Sequence, residues 1–177
     1  MSESPTFKLS VTSGKKTIEI PISYESLASF ISSYPDRPDS ATLFELAASH
    51  TSSYVREQVA YKENLSEATV EILKQDSSIN VLRCLARTES FRKYAHLEDV
   101  LRFVSLDPEL AQSVASYFES YEQVEPSKII DALSKSTDPG ILYSLVSNYS
   151  TPKKVVKSFT NYADPHIAGE AKARMSS

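Results

Sequence analysis

Asp107-Pro108-Glu109-Leu110, Asp138-Pro139-Gly140-Ile141 and Asp164-Pro165-His166-Ile167 are three copies of one helix-opening string. Four residues after each aliphatic position stands a second apolar or small residue: Val114, Leu145 and Ala171. Aspartate before a helix accepts hydrogen bonds from the free amides of the first turn, and proline at the first helical position has a preset φ and no donor to waste. A start signal that recurs at near-regular intervals predicts an array of short helices, not one compact enzyme core.

Two helix types alternate around these strings. One reads Ala41-Thr-Leu-Phe-Glu-Leu-Ala47 and again Ala68-Thr-Val-Glu-Ile-Leu-Lys74, and its later members hold Val100, Leu101 and Val104, then Ile129, Ile130 and Leu133, then Val155, Val156 and Phe159. The other carries paired apolar positions: Val55/Val59, Val81/Leu85, Leu110/Val114, Ile141/Leu145 and Ile167/Ala171. The second positions of these pairs lie 26, 29, 31 and 26 residues apart, with inserts at Phe91–His96 and Glu119–Glu125. In this series Ser52-Ser53 and Ser77-Ser78 occupy the starts that the Asp-Pro pairs occupy later. Helices of about ten residues are marginal alone, and each has one narrow apolar stripe, so neighbouring pairs must stack to bury it. The fold class expected is all-α: an α-solenoid, a right-handed superhelix of short helix pairs, with a small N-terminal β-hairpin.

That hairpin is read from Phe7–Thr12 and Thr17–Ile22, which alternate apolar and polar residues around a Ser13-Gly14-Lys15-Lys16 turn. Pro21 cannot donate to a ladder, so the second strand is an edge or ends there. A lone hairpin is marginal in water, so it is expected to cap the open end of the helix stack or to pair with a partner strand. The domain expectation is therefore a hairpin segment at 1–22 and a helical-repeat domain at 23–177, clearest at 40–175. Ser23 is the predicted cap of the first helix, which stops before Pro35.

Val55-Arg-Glu-Gln-Val-Ala60, Asn64 through Asp76, and Val81 through Ala86 resemble the leucine-rich repeat variant family, in which a valine-arginine, alanine, asparagine, leucine, aspartate unit recurs. The array is similar more loosely to HEAT-like repeats. Later units depart from the pattern, with Ala111, Leu142 and Ala168 in place of the arginine, and Ser66 stands where proline is usual. The resemblance implies a helical scaffold or binding surface and carries over no catalytic residue.

Composition narrows the function classes. Cys84 is the sole cysteine, so no intrachain disulfide and no cysteine-built metal cluster can form. Three glycines leave almost no room for a phosphate-cradling loop. No apolar run approaches a membrane span, and Met1–Thr6 lacks the basic and apolar regions of a signal peptide, so a cytoplasmic location is expected. Residues 1–125 hold 12 basic and 19 acidic side chains, whereas 126–177 hold 7 and 4. His166 and Glu170 have a chelating i, i+4 spacing but are only two ligands. His96 with Glu98 and Asp99 reads as a helix start, and Cys84 as a buried structural thiol. No catalytic, metal or cofactor-binding residue is assigned, and no cofactor is expected.

Two surfaces remain. Tyr117, Tyr121 and Glu122 lie in an acidic-aromatic insert, and tyrosine is an enriched anchor at protein interfaces. The competing role for these tyrosines is to seal the edge of a core that Phe118 continues. Lys153, Lys154 and Lys157 form a basic cluster on a predicted helix, which suits nucleic acid or simply a solvated face. The function expected is a non-catalytic protein–protein interaction scaffold whose partner is another protein; nucleic-acid binding through the lysines is the alternative.

Overall fold

The computed structural model describes residues 5–176. Met1–Ser4, on which part of the leader expectation rests, and Ser177 lie outside the described residues. A two-stranded hairpin precedes twelve α-helices among the described residues, so the chain is mostly helical as expected. Contacts divide it into two units, one up to Phe91 and one from Arg92 onward. The divide falls in the first insert, and the hairpin belongs to the first unit.

The hairpin pairs β1 (Lys8–Ser13) with β2 (Lys16–Pro21), setting Leu9 opposite Ile20 and Val11 opposite Ile18. Its two-residue turn begins at Gly14, the only residue with positive φ (60°) among those described. Glycine first in a two-residue turn is the II′ pattern, whose twist matches that of the flanking strands. One face is polar and tied together by Lys8 Nζ donating to Glu19 at 3.0 Å and a Thr12–Thr17 hydroxyl bond at 3.0 Å. Every residue of both strands is exposed. The strands therefore do not cover an end of the helical stack, and their apolar face stays bare.

In the first unit α1 (Tyr24–Ser33), α3 (Ser53–Ala60) and α5 (Ile79–Leu85) pack in succession, and α2 (Ala41–Ala48) with α4 (Glu67–Leu73) form a second row against them. The second unit repeats the scheme. Here α8 (Pro108–Tyr117), α10 (Pro139–Ser147) and α12 (Pro165–Ser176) form one row, with α7 (Leu97–Leu106), α9 (Pro126–Leu133) and α11 (Lys153–Ser158) beside it. These rows are the two helix types of the sequence, and the paired positions Val55/Val59 through Ile167/Ala171 are all buried. The first insert is itself helical, α6 (Glu89–Tyr94); the second is a 3-10 turn at Phe118–Ser120.

The starts behave as their side chains dictate. Asp107 accepts from the amides of Glu109 and Leu110, Asp138 from that of Ile141, and Asp164 from those of His166 and Ile167. Ser23 caps α1 through Ser26 N–H. Ser52 and Ser78 cap through no side chain. Their own amides instead donate to His50 Nδ1 and Asp76 Oδ1 two residues upstream.

Helix ends are closed from further along the chain. Lys62 Nζ donates to the carbonyls of Ser32 and Tyr34 after α1. In the connection between α3 and α4, Ser90 Oγ likewise donates to Glu63 O and accepts from Leu65 N–H. In the second unit Asn148 Nδ2 takes the carbonyls of Ala115 and Ser116, and Arg174 takes those of Val146 and Asn148. These links span 25 to 33 residues, close to the spacing of the paired apolar positions. Terminal carbonyls with no partner inside their own helix are thereby satisfied by the next one.

Candidate functional site

The expected acidic-aromatic patch separates into inside and outside. Tyr117 ends α8 half-exposed, with the Arg92 guanidinium carbon 4.8 Å from its ring centroid. Glu122 is exposed, and its amide donates to Arg92 O. Tyr121 is only 4% exposed. Burial pushes its phenol well above the ordinary tyrosine range, and the Arg92 charge pulls only partly the other way. Tyr121 as a partner-contact residue is thus corrected: it seals the core. Leu110, Val114, Phe118 and Tyr121 follow the 4, 4, 3 spacing of one helical stripe, a signal already present in the sequence.

A groove of about 510 Å³ lies along the C-terminal ends of α8 and α10, with Ser116 and Glu119 on one side and Tyr143, Ser144 and the Ser147–Ser150 turn on the other. Its construction follows from the sequence. Asn148 follows α10, and besides the two α8 carbonyls its amide reaches Glu119 Oε2 at 3.1 Å. Its Oδ1 accepts from Ser150 N–H at 2.8 Å, closing a tight turn. Thr151 Oγ1 then donates to Leu145 O at 2.6 Å and is itself buried.

Tyr149 projects from that turn and is 87% exposed, the highest value among the exposed large hydrophobic and aromatic residues; Tyr143 is 44% exposed beside it. Tyr149 is nevertheless held. The Arg174 guanidinium sits 5.2 Å from its ring centroid and donates to its carbonyl at 3.1 Å, while Nη1 bonds Val146 O and Asn148 O at 2.5 and 2.7 Å. The result is two tyrosine faces, hydroxyl and amide groups, and one carboxylate on a turn fixed from below. Such a surface suits an extended polypeptide, offering ring area at low entropic cost with polar groups for orientation. The sequence reading missed Tyr143, Tyr149 and Arg174 because the groove is made by residues 26 to 33 positions apart.

The other candidates are placed as follows. Lys153, Lys154 and Lys157 are all exposed on α11. His166 is exposed, and no group of three or more metal-binding side chains occurs among the described residues. Asp99 accepts from the His96 amide at 3.0 Å, so the pair serves the α7 start. Cys84 is buried, and burial raises its thiol pKa above the ordinary range. No described helix is long and apolar enough to cross a membrane. No protein-family profile, curated protein or solved structure matches the chain.

Proposed function

We propose that the chain is a non-catalytic protein–protein interaction scaffold. Its helix pairs form an α-solenoid of the leucine-rich repeat variant or HEAT-like kind, wound as a right-handed superhelix. The alternating helix rows within each unit support the repeat reading, as do the links that close the ends of α1, α8 and α10 from about one period further on. The observation that carries the interaction reading is Tyr149, an aromatic side chain at 87% exposure on a turn held by Arg174. A flexible, fully solvated tyrosine would lose entropy on binding; one already fixed loses little. The partner is a polypeptide whose extended segment lies in the groove between Tyr143 and Glu119.

Quantitative affinity purification tests this with the full chain and its Tyr143→Ala/Tyr149→Ala variant. The double variant loses a reproducible set of partners while its far-ultraviolet circular dichroism stays unchanged. Recovery of every partner by the variant overturns the reading. Exposure of the three lysines on α11 favours one second reading, nucleic-acid binding. Its mark is a salt-sensitive duplex shift that Lys153→Glu/Lys157→Glu abolishes, and no shift at low salt removes it.

A further inference from the structure

The bare face of the hairpin calls for a cover. Leu9, Val11, Ile18 and Ile20 point to the same side, at 53, 51, 64 and 50% exposure. The opposite side carries the Lys8–Glu19 pair and the Thr12–Thr17 bond, so the polar face already belongs to solvent. Where the strands join α1, the apolar side borders an open groove of about 550 Å³, whose far wall includes Leu27, Phe30 and Leu43. A two-stranded sheet with one apolar face is marginal until something lies against it.

We propose that the occupant is the hairpin of a second copy, in a reciprocal clasp. Charge decides between the two ways of stacking identical hairpins face to face. Turn over turn would bring Lys15 and Lys16 against the same lysines of the other copy. The antiparallel arrangement instead sets each turn over the other copy's hairpin base, where Glu25 is exposed in the first turn of α1 and the charge of Lys8 is already paired with Glu19. Val11 and Ile18, nearest the turn, then enter the groove between hairpin and α1, which no described side chain fills. No charged residue stands between Leu9, Val11, Ile18 and Ile20, so closing the clasp desolvates no ion at its centre.

The area is sufficient for a reversible contact. Half-exposed faces of four large aliphatic side chains amount to something on the order of 400 Å² per copy, the size of the largest apolar patch a monomer commonly shows. Doubled, and extended by the groove walls, this reaches roughly the 1,000 Å² at which specific association begins. The clasp is independent of the tyrosine groove and, if that groove binds, makes the scaffold bivalent.

Sedimentation velocity of the full chain from micromolar to sub-millimolar concentration is the test. A concentration-dependent monomer–dimer exchange is expected, with amides of Lys8–Pro21 gaining protection from hydrogen exchange as concentration rises. Ile18→Lys, on an exposed position that leaves the helices intact, returns the chain to monomer. Lys15→Glu/Lys16→Glu weakens the dimer at least tenfold, and adding Glu25→Lys to the same chain restores it. A monomer at every concentration overturns the proposal. So does a dimer indifferent to Ile18→Lys, or hairpin protection that does not depend on concentration, which would mean that the hairpin closes on its own groove.

Discussion

Replacing Arg174 by methionine keeps the aliphatic stem and removes the guanidinium that ties α12 to the end of α10. Three of its bonds are short enough to count, at 2.5, 2.7 and 3.1 Å, while the fourth, to Thr151 O at 3.4 Å, is long. A bond from a charged donor contributes about 1.5–3 kcal/mol. Arg174 is only half-buried, and Tyr149 O lies at an exposed turn, so water replaces part of that loss. The Val146 carbonyl belongs to a fully buried residue and has no such substitute. The net cost is roughly 2–3 kcal/mol, including up to about 1 kcal/mol for the ring contact. Hydrogen exchange read by mass spectrometry resolves it by segment, which a global melt of two units would not. Peptides covering 139–176 should exchange roughly 30- to 150-fold faster, at a factor of ten per ~1.4 kcal/mol, with peptides before residue 91 unchanged. Arg174→Lys restores less than half, because a point charge cannot serve three divergent carbonyls. Exchange within twofold of the parent would refute the claim that Arg174 latches the groove.

The Arg56–Asp76 pair meets at 2.5 and 2.9 Å with side chains 15% and 5% exposed, so removing either partner should cost about 3 kcal/mol, with most of it recovered as coupling in the Arg56→Ala/Asp76→Ala cycle. Urea titrations of the four proteins check this, and a coupling below about 0.5 kcal/mol would count against a buried pair. Tyr121 supplies a pH test. Its folded phenol holds its proton far above the value of 10.0 at which the unfolded one ionises. Its contribution is therefore complete below pH 10 and lost as pH rises, by about 1.4 kcal/mol per pH unit for one group. Tyr121→Phe should flatten the alkaline loss of stability by that slope, read as the difference between the two proteins' urea midpoints from about pH 9 to about pH 11.

The helix rows were legible because burial demands an apolar stripe of helical period, and Val55/Val59 through Ile167/Ala171 supply one in each of five helices. The Asp-Pro starts were legible because capping is local. Tyr117 and Tyr121 show where local reasoning ends. Tyr117 shares the phase of the stripe, but its φ of −133° and ψ of 18° break the helix there, and the ring turns out to Arg92 while Tyr121 turns in. The groove at Tyr143 and Tyr149 was illegible for a different reason. It depends on Asn148 reaching back 33 residues and Arg174 reaching back 28, and a single sequence gives no register between helices so far apart. The hairpin pattern was plain, yet nothing in alternating residues says whether their apolar side finds a cover.

Three helices have terminal carbonyls satisfied by side chains that stand later in the chain. Lys62 serves α1, Asn148 serves α8 and Arg174 serves α10, whereas amides are served in the other direction, those of Glu63 and Asn64 by Asp36 and that of Glu89 by Glu63. During synthesis each of these three helices therefore waits for a side chain 26 to 33 residues behind it, a lag of roughly one to seven seconds at ordinary elongation rates. Until that residue arrives, the helix end has open carbonyls and frays. The ribosome thus releases these three helices with the fastening side chain still to be made, and a pause in translation before Lys62, Asn148 or Arg174 would leave the helix it serves unlatched.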